Sequence, residues 1–378
     1  MPNGAIWIHA VSVAEGLAAL PLLSNLNQLY PGQPLVVTMT TFAGCEQLGT
    51  TLGDKTKLLY LPYDYPAAIQ RFLDKIHPKL LIMIGTETWP NLLNIIGRRK
   101  IPAILTNAKL AKQSFECYSK SSLAKKVINN FSRVLVQNER DRDYFLALGI
   151  APTRVTWTGN LKFDVELPEE HWLIQIQALK TRLGNRPIWI AANTHQDEEE
   201  KILQTARVVL DKIPRALLIL APRFPEHFTS VDELCTQQGF RVVRYSELTR
   251  YSLDTEIILV DSLGKLPVFY GVSDIVLAGG SLVAGGKPNL LAPAALAKPI
   301  LAGEYLQACQ EISELLTERD ALTLVRNERE LATEVVRLFE DVTAREQLGV
   351  AALETVELHR GATDRVLAII NQLLPANP

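Results

Sequence analysis

Residues 261–303, DSLGKLPVFYGVSDIVLAGGSLVAGGKPNLLAPAALAKPILAG, decide the fold that this sequence predicts. The pattern predicts a short helix, a buried strand, a glycine-rich loop, a helix and another buried strand (Gly264–Tyr270, Asp274–Ala278, then Asn289–Ala297 and Pro299–Ala302). Glycines let the backbone take positive φ and approach a ligand, and an open helix N-terminus suits a phosphate. The loop matches neither GxGxxG nor a Walker motif, so it predicts either a nucleotide phosphate cradle or an ordinary strand-to-helix connection.

The composition is that of a globular α/β protein with no global preference for nucleic acid. Its 378 residues predict two domains. Hydrophobic residues make up 47%, and 39 basic against 41 acidic residues give a formal net charge of -2. Any anionic partner must therefore bind a local basic cluster. The 4 cysteines are far apart, which predicts reduced thiols and no metal site (Cys45, Cys117, Cys235 and Cys309).

The N-terminus lacks the pattern of a signal peptide, and no apolar run in the sequence is long enough to span a bilayer. A predicted strand begins as early as Ala5. This abrupt start leaves open that Met1 is not the native start and that an N-terminal segment precedes it.

The first half of the chain repeats a strand followed by a helix five or six times, which predicts a doubly wound parallel sheet. Polar side chains follow several of these strands, among them Glu15, Glu87 and Lys109. Ligands bind at the carboxyl ends of such strands. Glu15 is therefore a candidate general base, although a glutamate in a first helical turn is also favoured by the helix dipole alone.

A polar stretch within Leu161–Asn185 predicts a linker, after which strands and helices alternate again. Arg223 follows a strand of this second half and could clamp a phosphate held by the glycine-rich loop. We interpret His195 as structural, and the acidic run Asp197–Glu200 as favourable charge at a helix N-terminus. A last helix is predicted at about Val356–Leu374.

The segment from Leu110 to Lys126 is rich in lysine, and Lys109 precedes it. Two interpretations remain open for this segment. It could present a basic surface to an anionic acceptor or membrane, or it could be a solvated amphipathic helix, which the composition favours.

Eight blocks of the sequence resemble, in this order, the blocks of the 3-deoxy-D-manno-octulosonic acid (Kdo) transferases. The blocks are WIHAVSVAEGLAALPLL, LPYDYPAAIQRFLDKIHPKLLIMIGTETWPNLL, TNAKL, TGNLKFD, NTHQDEEEKIL, APRFPEHF, DSLGKLPVFY and GGSLVAGGKPNLLAPAAL. The resemblance covers nearly the whole chain. It implies a GT-B glycosyltransferase, with two doubly wound αβα domains facing across a cleft, that moves Kdo from CMP-Kdo onto a lipid A precursor.

The resemblance also implies roles for individual residues. Glu15 matches the catalytic glutamate, which implies an inverting displacement with Glu15 as general base. The positions implied to bind donor or substrate are Glu87, Lys109, Lys162, Arg223, Leu263, Gly264, Gly280, Ser281 and Asn289. No cofactor is implied, and no acidic pair with metal-binding spacing lies beside the glycine-rich loop, so we expect metal-independent transfer.

This chain departs from the family pattern at several of the implied site positions. Pro288 and Ala292 replace a histidine and a glutamate, Gly85 replaces the first glutamate of an ETE motif, and Lys109, Phe224 and Lys265 replace an arginine, a histidine and a glutamate. In many GT-B enzymes the glutamate at the position of Ala292 accepts ribose hydroxyls. Two alternatives therefore stay open: a GT-B transferase for another nucleotide sugar, and a non-catalytic relative that binds lipid or sugar.

We thus expect an acceptor-binding domain over residues 1–165, a nucleotide-sugar-binding domain over 166–355, and a C-terminal helix over 356–378 that packs back toward the first domain. The expected partners are CMP-Kdo, a lipid A precursor and an anionic membrane surface, without nucleic acid. The resemblance implies a peripheral position on the cytoplasmic side of the inner membrane. Family members typically carry an anchoring helix before the first strand, so the early start of the predicted strand at Ala5 leaves open that such a segment precedes Met1.

Overall fold

The chain divides into two compact units in a computed structural model that describes residues 4–49, 52, 56–165 and 170–374. Unit 1 comprises Met1–Asp164 and His359–Pro378, and unit 2 comprises Val165–Leu358. Residues 166–169 of the predicted linker, and Met1, lie outside the described residues.

Unit 1 alternates strands and helices. Its elements before the linker are β1 (Ile6–Ala10), α1 (Val13–Ala18), α2 (Leu20–Leu29), β2 (Leu35–Met39), α3 (Phe42–Gly49), β3 (Thr56–Tyr60), α4 (Pro66–Ile76), β4 (Leu80–Ile84), α5 (Pro90–Arg98), β5 (Ala103–Ala108), α6 (Lys112–Lys120), α7 (Ser122–Ile128), β6 (Arg133–Val136), α8 (Glu139–Ala147) and β7 (Val155–Trp157).

Unit 2 repeats the alternation. Its elements are α9 (Glu170–Leu183), β8 (Ile188–Thr194), α10 (Gln196–Lys212), β9 (Leu217–Pro222), α11 (Phe228–Gln237), β10 (Val242–Arg244), β11 (Ile257–Leu259), α12 (Leu266–Val272), β12 (Ile275–Ala278), α13 (Leu291–Ala295), β13 (Ile300–Ala302), α14 (Gln310–Glu318), β14 (Leu322–Leu324), α15 (Glu328–Glu340) and α16 (Val342–His359). The final helix, α17 (Ala362–Leu373), belongs to unit 1.

In the described part of the chain, each unit holds one sheet of seven parallel strands. The order is β3-β2-β1-β4-β5-β6-β7 in unit 1 and β10-β11-β9-β8-β12-β13-β14 in unit 2. Central strands such as β1, β2 and β4 are buried at every position, because helices cover both faces of a parallel sheet. This confirms the predicted pair of doubly wound α/β domains.

The order of strands reverses at one place in each sheet. In unit 1 this switch point lies between β1 and β4, and in unit 2 it lies between β8 and β12. The connections leaving the two strands go to opposite faces there, so a crevice forms at the carboxyl ends of the strands. The loops after β1, β4, β8 and β12 are therefore where each unit can hold a ligand.

The end of the chain differs from the sequence prediction of one helix over Val356–Leu374. The structure has the end of α16 and a separate α17, because Gly361 breaks the helix with a φ of 86°. Asp164 accepts hydrogen bonds from the backbone N–H groups of Gly361 and Thr363 and so caps α17. Apolar side chains of α17, including Val366 and Ile370, pack into a core layer of unit 1.

None of the helices in the described residues combines the length and the apolar character needed to cross a membrane.

Candidate active site

Glu15 lies in the first turn of α1, directly after β1 at the switch point of unit 1. One carboxylate oxygen, Oε2, accepts hydrogen bonds from the backbone N–H groups of Val11 and Ser12, both at 2.9 Å. The Ser12 hydroxyl accepts a hydrogen bond from the Glu15 N–H and completes a capping box. These contacts fix the carboxylate at the carboxyl end of β1.

The other carboxylate oxygen of Glu15, Oε1, lies against Gly85, which follows β4. A Cβ atom at Gly85 would stand 2.3 Å from this oxygen, and the φ of Gly85 is +95°. Any other residue would be strained by this positive φ, and its Cβ would have to displace the Glu15 carboxylate. The departure from the family pattern at Gly85 therefore has a steric reason in this chain.

Glu87 follows Gly85 after one residue, and the structure brings it to the same switch point as Glu15. Its side chain is exposed. Partial desolvation and the nearby negative charge of Glu15 raise the pKa of Glu87 above its ordinary value. Two carboxyl groups thus share the carboxyl ends of β1 and β4.

Glu87 also lines a cavity of about 370 Å³. Most of its lining side chains carry a hydroxyl or carboxyl group, namely Thr86, Glu87, Thr88, Ser114 and Tyr118, and Leu110 is the apolar exception. Such a lining can exchange hydrogen bonds with the hydroxyl groups of a sugar.

Lys109 directly follows β5, the neighbour of β4, and Lys162 lies in a turn that contacts the end of the same strand. Asn107, at the end of this strand, has a φ of 53° and interrupts the pairing of β5 with β6. Its buried amide oxygen accepts a hydrogen bond from the Leu161 N–H at 3.0 Å. The side chain of Asn107 thereby supports the turn Leu161–Phe163, which carries Lys162.

In unit 2, the glycine-rich loop 279–287 follows β12 at the switch point. Gly286 packs directly on Gly280, because a Cβ at Gly286 would stand 1.9 Å from the Gly280 carbonyl oxygen. The Ser281 side chain is fully buried. Its hydroxyl donates to the Ala278 carbonyl and accepts from the Gly303 N–H. Ser281 therefore holds the loop on the sheet, and its side chain is not available to a ligand.

Glu198 reaches this loop from α10, although its place in the acidic run Asp197–Glu200 predicts only favourable charge at a helix N-terminus. Its carboxylate is fully buried. It accepts hydrogen bonds from the backbone N–H groups of His195, Gly280 and Leu282. Burial raises the pKa of Glu198 to about 7, although the three N–H groups act in the opposite direction. No sequence signal beyond the capping position three residues after His195 pointed to this contact.

Arg223 follows β9, the neighbour of β8. Its guanidinium Nη1 donates to the Lys287 carbonyl oxygen at 3.1 Å, and its guanidinium carbon lies 5.7 Å from the centre of the Phe224 ring. Burial lowers the pKa of Arg223. The His195 ring packs edge-on against Phe224. Burial and, to a smaller extent, the positive charge of Arg223 lower the pKa of His195. The loop 279–287 thus has a fixed cation and a histidine at its side.

The remaining predicted positions of unit 2 lie on other connections of the same sheet. Leu263, which is 69% exposed, and Gly264 lie between β11 and α12. Asn289 is exposed and its amide oxygen accepts from the Ala292 N–H at 3.3 Å, just ahead of α13. In the residues that the structure describes, no three His, Cys, Asp or Glu side chains form a group that could hold a metal ion.

Comparison with known proteins gives relatives along the whole chain. Residues 1–165 match the family model of the 3-deoxy-D-manno-octulosonic-acid transferases (Kdo transferases). The chain is 37% identical to a 3-deoxy-D-manno-octulosonic acid transferase of Haemophilus influenzae, over 100% of this chain and 88% of the relative. It is 31% identical to a transferase of the same name from Rickettsia felis, over 98% of this chain and 79% of the relative.

Among solved structures, a UDP-GlcNAc 2-epimerase from Neisseria meningitidis bound to UDP-GlcNAc matches with a TM-score of 0.63. The match is 15% identical and covers 97% of this chain and 100% of that protein. At this identity the likeness concerns the fold, and it agrees with the predicted GT-B architecture.

Proposed function

This chain belongs to the Kdo transferase family, and we propose that it transfers Kdo from CMP-Kdo to a lipid A precursor, with Glu15 as general base. Membership of the family makes the chain a glycosyltransferase of lipopolysaccharide biosynthesis and sets aside the interpretation as a non-catalytic relative. The observation that carries the mechanism is the carboxylate of Glu15, which two backbone N–H groups hold at the switch point of unit 1.

Glu15 takes the proton of the acceptor hydroxyl as that oxygen attacks the anomeric carbon of Kdo. The new carbon–oxygen bond forms on the face opposite to the leaving phosphate, and the bond to the CMP phosphate oxygen breaks, which inverts the configuration. The family supports this role for Glu15, and the geometry supports it because Oε2 is bonded to backbone while Oε1 lies beside Gly85 and the nearby Glu87.

The donor binds unit 2 in this proposal, and the acceptor binds unit 1. Arg223 is the cation that faces the CMP phosphate, while Gly280 and Ser281 act through the shape of loop 279–287, since Glu198 and the sheet already use the Gly280 N–H and the Ser281 hydroxyl. The other positions assigned to substrate binding are Glu87, Lys109 and Lys162 in unit 1 and Leu263, Gly264 and Asn289 in unit 2. Transfer is expected to need no metal, because the Arg223 cation and backbone N–H groups stabilise the leaving phosphate.

We place the protein at the cytoplasmic face of the inner membrane, where its lipid acceptor is found in this proposal. Support comes from the lysine-rich helices α6 and α7. No side chain of α6 is buried, Lys112 and Lys120 are exposed, and Leu123 at the start of α7 is 63% exposed. Exposed lysines beside an exposed leucine suit an anionic lipid surface.

One observation favours a second candidate, a GT-B transferase for another nucleotide sugar. Ala292, at the position where the resemblance expects a glutamate, packs against the core of unit 2 and offers no carboxylate to a ribose. A ribose that loses this partner binds more weakly, so the donor could carry a different nucleotide.

The test is incubation of the full chain with CMP-Kdo and a tetraacylated lipid A precursor, with and without EDTA, followed by mass spectrometry of the lipid. We expect a mass gain of one or more Kdo units in both arms. A gain only without EDTA would contradict the metal-independent mechanism. No gain from CMP-Kdo, with transfer from a different nucleotide sugar, would replace the proposed donor by the second candidate.

A further inference from the structure

The contact between Glu198 and loop 279–287 joins two parts of unit 2 that are more than 80 residues apart. Glu198 lies in the first turn of α10, where one oxygen accepts from the His195 N–H at 3.0 Å and from the Gly280 N–H. The other oxygen accepts from the Leu282 N–H at 3.2 Å. One carboxylate therefore accepts from the N–H groups of Gly280 and Leu282 in the first turn of the loop, and these groups could otherwise hold an anion.

The position of this turn determines the position of the rest of the loop. Gly286 packs on Gly280 without room for a Cβ, and a Cβ at Gly280 would stand 3.1 Å from the Lys287 N–H nitrogen. The Lys287 carbonyl in turn accepts from Arg223. A continuous set of contacts thus leads from Glu198 through Gly280 and Gly286 to the guanidinium of Arg223.

We propose that Glu198 is a positioning residue for donor binding: its buried carboxylate fixes loop 279–287 in the shape that aligns Arg223 and the later loop N–H groups with a nucleotide phosphate. The inference rests on the proposed function in one respect, namely that the CMP phosphate binds at this loop. Glu198 itself does not touch the donor.

Glu199 offers a matched control. It is the next residue of α10, is equally buried, and also accepts a hydrogen bond, from the Thr194 hydroxyl at 2.7 Å. Burial raises its pKa as well. The Glu199 carboxylate accepts from the Thr194 hydroxyl, and it makes none of the hydrogen bonds by which Glu198 holds Gly280 and Leu282. Glu199→Gln therefore measures the effect of changing a buried carboxylate of α10 without releasing the loop.

The experiment compares the full-length wild type with Glu198→Gln and Glu199→Gln by hydrogen exchange and by titration with CMP. The side-chain amide that Glu198→Gln introduces has one carbonyl oxygen and an NH₂ group that faces an N–H donor, so it cannot accept all three hydrogen bonds. We expect exchange at Gly280 and Leu282 to become about tenfold faster and the Kd for CMP to rise about tenfold. In the transfer assay the KM for the donor should rise while the KM for the acceptor stays within about twofold.

The inference would be overturned if Gly280 and Leu282 exchanged as slowly in Glu198→Gln as in wild type. It would also be overturned if Glu199→Gln changed loop exchange and the Kd for CMP as much as Glu198→Gln does. If Glu198→Gln fails to fold, Glu198→Asp keeps the charge on a shorter side chain, and the same two measurements then decide in the same way. A wild type that does not bind CMP would instead overturn the proposed donor, and the exchange measurement would still decide whether Glu198 holds the loop.

Discussion

The two units have the same sheet topology at their switch points, but they present side chains of opposite charge there. At the end of β1 and β4, unit 1 presents two carboxyl groups, Glu15 and Glu87, beside a glycine that makes room for one of them. At the end of β8 and β12, unit 2 buries its carboxylate, Glu198, under a glycine-rich loop and leaves Arg223 as the nearby cation. In the proposed function the two folds supply equivalent locations, and the residue types at the strand ends assign proton transfer to unit 1 and phosphate binding to unit 2.

The largest expected effect is that of Glu15→Gln on turnover. A glutamine carbonyl can still accept from the N–H groups of Val11 and Ser12 but cannot take a proton, so we expect kcat to fall about 1000-fold. The control is Glu330→Gln, because Glu330 occupies the same position of a helix cap in α15 and accepts from the Arg326 N–H. Transfer rates of the two variants check this, and a Glu15→Gln enzyme within about tenfold of wild type would show that another group is the base.

Gly85→Ala should produce the next largest loss. The new Cβ would displace the Glu15 carboxylate, and a shift of about 1 Å at a reacting group can lower the rate roughly 100-fold. Gly149→Ala is the control, since Gly149 has a φ of +92° and no atom near the position of a Cβ. Both substitutions should destabilise the fold through backbone strain, by about 1 kcal/mol or more, but only Gly85→Ala should lower kcat. Equal kcat values for the two would contradict the steric role of Gly85.

Arg223→Ala should weaken the binding of CMP to unit 2. Loss of one charged hydrogen-bond donor to a phosphate weakens binding by about 10- to 100-fold, and calorimetry with CMP measures it. Arg207→Ala is matched to it, because Arg207 also lies over a phenylalanine ring, that of Phe240, and donates to a backbone carbonyl. If both variants bind CMP as tightly as wild type does, Arg223 is not the phosphate ligand.

The smallest effect on turnover is expected from substitution of His9, a buried residue of β1. Burial lowers the pKa of His9 to about 4. The imidazole of His9 binds a proton more readily in the unfolded chain than in the folded protein. His9 therefore contributes on the order of 3 kcal/mol to the free energy of unfolding above about pH 6.5, and this contribution is lost as the pH falls toward 4. Glu198 has the opposite sign, since its raised pKa favours the folded state below pH 4.5 and this contribution is lost as the pH rises to about 7.

The measurement is the difference in free energy of unfolding between wild type and His9→Asn, from about pH 8 to about pH 4. This difference should fall as the pH is lowered, because protonation of the unfolded chain then removes the contribution of His9. A difference for His9→Asn that does not depend on pH would show that the His9 imidazole binds its proton equally well in both states.

The sequence predicted the features that depend on neighbouring residues. Continuous apolar runs such as those of β1 and β12 predicted buried parallel strands, and Glu15 could be selected because it follows a strand directly. The role of Gly85 became visible only with Glu15 beside it in space. The partners of Glu198 are the N–H groups of Gly280 and Leu282, which no local pattern connects with α10.

The final helix illustrates the same limit. The apolar spacing of residues 356–374 suits one helix, and the break at Gly361 is stabilised by hydrogen bonds to Asp164, almost 200 residues earlier in the chain. Contacts between distant segments decide such features, and single-sequence patterns do not contain them.

The division between the two switch points is tested most directly by the dissociation constant of CMP for Glu15→Gln, measured by calorimetry beside wild type. We expect equal values within about twofold, because in the proposed mechanism Glu15 acts on the acceptor hydroxyl and CMP binds unit 2. An affinity about tenfold weaker would contradict it, since Glu15 would then contribute to holding the nucleotide.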